Sequence, residues 1–220
     1  MSNPNPETPE FKTPATSTPQ HGSEAVSSWI ARWAHLVPAG TSVLDVACGL
    51  GRHAVYFSKL NHPTTAVDNA QAAIDNVATR LPTSARLVVA DIENAPWPLT
   101  DSAGAPQQFG AVVVTNYLWR PLLPTIVASL APGGVLLYET FAHGNASVGK
   151  PSRPDFLLQP GELLRACAGL RVVAYEDVFI EAPDRFVQRI AAVRESGVIA
   201  HQKSENSASI APPRYPLAAP

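Results

Sequence analysis

The run Val43-Leu44-Asp45-Val46-Ala47-Cys48-Gly49-Leu50-Gly51 constrains this chain more than any other stretch of it. Val43 to Ala47 is apolar except for Asp45, the pattern of a strand covered on both faces of a parallel sheet. Gly49 and Gly51 have no Cβ, so the backbone there can turn tightly and lie close to a ligand. The helix expected from about residue 51 points its unpaired N–H groups at the same place. A strand, a bare turn and a helix mouth together make the nucleotide pocket of open α/β sheets.

The periodicity elsewhere supplies the rest of such a sheet. Val26, Trp29, Ile30, Trp33 and Val37 recur at helical spacing and stop at Pro38, which makes Trp29 and Trp33 core residues. A strand over 42–47 and a helix over 51–60 lead to a strand at 64–67, ending at Asp68. Ala70, Ile74, Val77 and Leu81 form the stripe of the next helix. Further strands are expected at 85–90, before Asp91, at 111–115 and at 135–139. A helix opened by Pro121 and a turn at Ala131-Pro132-Gly133-Gly134 separate the last two. Residues 140–159 read as a long irregular connection and 161–167 as a short helix. Two strands at 171–180 and 186–194 close the pattern around a turn at 181–185. The expected fold is α/β and Rossmann-like: a seven-stranded, mostly parallel sheet with an antiparallel terminal strand and helices on both faces.

With 220 residues, 45% apolar and 15% charged, the chain can bury one sizeable core. A net charge of −2 gives no reason to bind nucleic acid or an anionic membrane. No window approaches the roughly 20 apolar residues that span a bilayer, and the N-terminus lacks the apolar centre of a secretory signal. Residues 1–22, rich in proline, and 197–220 are expected to be disordered tails around a domain at 23–196. Cys48 and Cys167 make no disulfide framework, no metal site is read, and a cytoplasmic location follows as the default.

Two cofactor classes suit the glycine turn. Gly49-Leu50-Gly51-Arg52-His53-Ala54 matches the dinucleotide pattern G-x-G-x-x-G/A, which permits an NAD(P)-dependent oxidoreductase. Asp45 argues the other way, because a carboxylate near that turn repels a pyrophosphate and suits a cationic ligand such as an amino group or a sulfonium.

Leu44-Asp45-Val46-Ala47-Cys48-Gly49-Leu50-Gly51 resembles the first motif of class I S-adenosylmethionine-dependent methyltransferases. The resemblance implies that Asp45 holds the methionine amino end and that Ala47, Gly49 and Gly51 pass beneath the cofactor. Val67-Asp68-Asn69 would meet the ribose diol, Asp91 and Ile92 the adenine, and Asn116-Tyr117 the methionine and methyl. All stand at strand carboxyl ends, where open α/β sheets bind ligands. Ala95 to Leu99, Thr115 to Leu122, Tyr138 to Asn145 and Gly149 to Leu164 are similar to a group of small bacterial methyltransferases of the tellurite-resistance type. The likeness covers about residues 24–195. It implies S-adenosylmethionine as cofactor, a small-molecule acceptor and a monomer or homodimer. A non-catalytic cofactor-binding module remains the further alternative.

Methyl transfer places the acceptor in the loops. The N-terminal helix, 117–120, the 140–159 segment as a lid and the 181–185 turn should surround it. Tyr117 and His143 are the catalytic candidates. Arg120 and Arg153 could grip an anionic acceptor, and Glu139 could line the pocket or pair with Arg153. His53 is read as packing or cofactor edge rather than as a base.

Overall fold

The computed structural model describes residues 25–196 and 213–217. The expected tail 1–22 lies outside the described residues, as do 197–212 and 218–220 of the expected tail 197–220. Seven strands run β1 Val43–Val46, β2 Thr64–Asp68, β3 Arg86–Val89, β4 Phe109–Thr115, β5 Leu130–Phe141, β6 Arg171–Ile180 and β7 Arg185–Val193. The helices are α1 Ser28–Trp33, α2 Arg52–Lys59, α3 Gln71–Ala78, α4 Leu123–Ala128 and α5 Glu162–Ala166. One sheet carries all seven strands in the order β3-β2-β1-β4-β5-β7-β6. Pairing is parallel from β3 to β5, and β7 runs antiparallel between β5 and β6. The chain reverses its winding at β1 and β4, so a crevice opens at their carboxyl ends.

Strand alternation sorts the core onto two faces. Leu44, Val46, Val112, Val114, Leu136 and Tyr138 pack on one face with Ile126 and Leu163. Val43, Ala111, Val113, Val135 and Leu137 pack on the other with Trp29, Ile30 and Trp33. Trp29 and Trp33 are both 2% exposed and meet edge to face, as the helical stripe predicts.

Two elements differ from the sequence reading. The turn expected at 131–134 is strand, so β5 starts at Leu130. Gly133 donates its N–H to the Arg194 carbonyl and Gly134 accepts from the Arg194 N–H, with a register shift between Phe109 and Ala111. A Cβ on Gly134 would lie 2.7 Å from the Ala131 carbonyl oxygen, so the glycine serves a close backbone approach within a strand instead of a chain reversal. Residues 213–217, assigned above to a disordered tail, are described, and Tyr215 packs against the face that carries Trp29 and Trp33.

Candidate active site

The crevice holds two cavities that share two residues. The smaller, about 270 Å³, is lined by Ala47, Asp68, Asn69, Asp91 and Ile92, together with Glu93 and Tyr117. The larger, about 510 Å³, lies against Asn116, Tyr117 and Leu118 after β4 and Thr140 and Phe141 around the end of β5. Glu93, Lys150, Pro151 and Phe156 complete it. Glu93 and Tyr117 thus stand at the junction of the two.

Local hydrogen bonds fix the smaller cavity. Asp68 accepts from the Gly49 N–H at 2.8 Å and from the Ala70 N–H at 2.9 Å. One carboxylate therefore ties the turn after β1 to the turn after β2. Asp91 Oδ1 accepts from the N–H groups of Glu93 and Asn94, each at 3.0 Å. The Asn94 backbone, then its side chain, holds the exposed Asp91 carboxyl below the usual carboxylate range.

The two glycines divide their work. Both have left-handed φ, +54° at Gly49 and +71° at Gly51. Nothing lies within 4 Å of where a Gly49 Cβ would sit, so that position is an open cradle. A Gly51 Cβ would come 2.5 Å from Val77 Cγ2, so Gly51 lets the start of α2 pack on α3.

Asp45 takes a different role from the one the resemblance implies. It shares the Val43 face of β1, is 1% exposed, and its Oδ2 accepts from the Ala54 N–H of α2 at 2.9 Å. It is a cap for the first turn of α2. Burial pushes its pKa up to about 7, against the lowering pull of the Ala54 N–H and of Arg52.

At the junction, the Tyr117 hydroxyl is buried beside the Glu93 carboxylate. Burial, followed by the neighbouring Glu93 carboxylate, lifts its pKa well above the ordinary phenol value. The Tyr117 carbonyl accepts from the Tyr138 hydroxyl at 2.9 Å, which anchors the turn after β4. Asn116 adopts φ +54° and donates its backbone N–H to the Glu139 carbonyl at 3.0 Å.

The structure corrects the acceptor-side expectations. Arg120 spends four of its five N–H donors inside the protein: Nε and Nη2 grip Glu162 at 2.7 and 3.0 Å, and Nη1 and Nη2 reach the Asp155 and Leu157 carbonyls. It pins the 140–159 segment to α5 instead of facing an acceptor. Arg153 is exposed, pairs with Asp155 at 2.9 Å and lies over the Phe156 ring. His143 is also exposed and lines a separate cavity with Gly144, Ser147 and Gln159, so it does not meet Tyr117. Glu139 neither lines the pocket nor pairs with Arg153. It is buried behind the strand end, where Ser27 Oγ donates to it at 3.1 Å and Arg189 Nε pairs with it at 2.8 Å.

That buried pair belongs to a polar network joining α1 to the sheet. Ser27 Oγ also accepts from the Trp29 N–H, capping α1, and the Ser27 N–H donates to His53 Nε2 at 3.3 Å. Because Nε2 accepts, the ring proton sits on Nδ1, 3.3 Å from Thr115 Oγ1. Burial, then the Arg52 charge, lowers the His53 pKa to about 3, so the ring is a neutral packing residue. Glu93 is the cavity residue that sequence reasoning missed, whereas Thr140 falls within the expected 140–159 segment. Glu93 carried one signal, its place two residues beyond a strand-end aspartate.

The fold is that of the class I methyltransferases, and the smaller cavity suits S-adenosylmethionine as a cofactor. The donor set fits that group: the smaller cavity presents Asp68, Asp91 and Glu93, which suit hydroxyls and a cation and would repel a pyrophosphate. Residues 43–134 match the family model described as a methyltransferase domain. No curated protein matches the sequence. Among solved structures, the chain is similar to a TehB-like SAM-dependent methyltransferase from Corynebacterium glutamicum, with 20% identity and a TM-score of 0.57 over 79% of this chain and 90% of that one. TehB from Haemophilus influenzae gives 20% identity and a TM-score of 0.58 over 74% of this chain and 60% of that one. The glycopeptide N-methyltransferase MtfA, solved with S-adenosylhomocysteine, gives 20% and 0.54 over 78% and 91%. Among the described residues no helix is long and apolar enough to cross a membrane, and no His, Cys, Asp and Glu cluster could hold a metal ion.

Proposed function

We propose that this chain transfers the methyl group of S-adenosylmethionine to a small-molecule acceptor bound in the larger cavity. The observation that carries the reading is the shared wall of the two cavities at Glu93 and Tyr117. When bound, the cofactor supplies an electrophilic methyl group on a sulfonium with a good leaving group, which leaves orientation and exclusion of water to the protein. Asp68 would accept from the ribose diol, Asp91 from the adenine amino group, and Ile92 would pack on the ring. Ala47, Gly49 and Asn69 shape the walls, while Asn116 and Tyr117 stand on the reacting side. Gly51 and Asp45 act through α2, by packing and capping. An oxidoreductase reading fares worse, because three carboxylates surround the place a pyrophosphate would need.

The net charge of −2 favours a small acceptor over nucleic acid. We assign the chain to the cytoplasm as a monomer or homodimer, which light scattering on the purified protein distinguishes from larger assemblies. The function is tested with methyl-labelled S-adenosylmethionine and a deproteinised small-molecule extract. Label should move to small molecules and S-adenosylhomocysteine should accumulate in step. Label entering only protein or nucleic acid would overturn the acceptor class.

A further inference from the structure

We propose that the acceptor is an amphoteric molecule with an amine nucleophile at one end, an apolar or aromatic body, and an anionic group at the other end that Lys150 holds. The proposal rests on the methyl-transfer reading above and concerns the larger cavity alone.

The charges of that cavity are few and of opposite sign. Glu93 stands at its junction with the cofactor cavity. Lys150 lines only the larger cavity and makes no hydrogen bond or ion pair among the described residues. The two arginines expected to grip an anionic acceptor are committed elsewhere, Arg120 to Glu162 and Arg153 to Asp155. Lys150 is thus the cation left for an acceptor. Besides Asn116, Thr140 and Tyr117, the rest of the lining is Leu118, Phe141, Pro151 and Phe156, which suits a flat apolar body.

Charge complementarity fixes the orientation. A carboxylate beside the methyl-donor cavity attracts an ammonium and takes its proton, and the buried Tyr117 hydroxyl next to that carboxylate offers the resulting amine a hydrogen-bond partner. The nitrogen lone pair then forms the bond to the methyl carbon as the carbon–sulfur bond breaks, its electron pair staying on sulfur as the neutral thioether. The proton taken at the start rests on Glu93 and passes to water. An acceptor without an anion leaves Lys150 unpaired, and one without an amine leaves Glu93 with nothing to deprotonate.

The test uses the full chain and aminomethyl-aryl carboxylates of one and two rings, such as para-aminomethylbenzoate, each beside its carboxamide. Wild-type protein should methylate the amine of at least one acid, with KM for the amide about fivefold higher, as expected for a partly solvated ion pair. Lys150→Met should raise KM for the acid to the amide's value and leave S-adenosylhomocysteine affinity unchanged. Glu93→Gln should lower kcat on the acid most at low pH, where the amine arrives protonated. Equal use of acid and amide by the wild type would overturn the proposal, as would an equal effect of Lys150→Met on both. Protein that binds S-adenosylhomocysteine but methylates none of the acids also overturns it, with the cofactor assignment intact. Protein that does not bind S-adenosylhomocysteine refutes the methyl-transfer reading itself.

Discussion

The two cavities are neighbours built in opposite ways. The smaller is formed by strand-end turns held by their own aspartates: Asp68 bonds its own turn at Ala70 and the neighbouring turn at Gly49, and Asp91 bonds its own turn at Glu93 and Asn94. The larger depends on a segment between β5 and α5 that is held from a distance, with Arg120 reaching 35 to 42 residues along the chain to Asp155, Leu157 and Glu162. A cofactor pocket made of local bonds can keep its shape while the acceptor wall beside it varies.

Substitutions should separate the two halves. The largest effect is expected at Gly51→Ala, which adds a Cβ 2.5 Å from Val77 to a left-handed residue. Strain and overpacking together cost about 3 kcal/mol, read as a lower unfolding midpoint in urea. Gly49→Ala meets no atom and should cost only about 1 kcal/mol in stability while weakening S-adenosylhomocysteine binding, because the methyl enters the open cradle.

Asp45 gives the next effect, as a pH dependence. Its folded pKa of about 7 stands above the ordinary 3.8, so the folded state takes up a proton. Free of cofactor, the protein should be most stable below 3.8 with respect to this group and lose that contribution as the pH rises towards 7. Asp45→Asn keeps an oxygen for the Ala54 N–H and removes the charge. It should flatten the profile and stabilise the cofactor-free protein at pH above 7 by on the order of 2 kcal/mol, measured by thermal unfolding across pH.

Arg120→Ala should act on one cavity only. It leaves the Glu162 carboxylate and two carbonyls without their donor, at a cost of about 1–2 kcal/mol for a half-exposed group. Amide exchange should speed up around 154–158 with S-adenosylhomocysteine affinity unchanged. A matching loss of cofactor affinity would show that the two cavities are not independent. Arg153→Ala is expected to change stability by less than about 0.5 kcal/mol, since both members of its pair with Asp155 are exposed.

The same contrast explains what the sequence could reveal. Strand-end residues have positions set by the sheet, so Asp68, Asp91, Ile92 and Tyr117 could be placed on the cavities from the β/α alternation. Asp45 is legible as a carboxylate on the first strand, but its partner in the folded chain, the Ala54 N–H, is not. Its period-two position turns it towards α2, and capping consumes its carboxylate. The partners of Arg120, Glu139 and the His143 backbone, namely Glu162, Arg189 and the Leu158 carbonyl, depend on how distant segments fold back, while Arg153 is held by Asp155 two residues along the chain. Residue type alone showed that these groups could grip a ligand, and only packing showed which were already spent. Lys150 stood in the expected lid without a distinguishing mark, and its lack of a partner is a property of the folded chain.

The central claim is that the carboxylate-lined cavity takes S-adenosylmethionine, and calorimetric titration of the purified chain with S-adenosylhomocysteine tests it most directly, with NADH and NADPH as controls. The account predicts micromolar binding of S-adenosylhomocysteine alone, lost in Asp68→Ala. Binding of a nicotinamide dinucleotide in its place, or undiminished binding in Asp68→Ala, would contradict it.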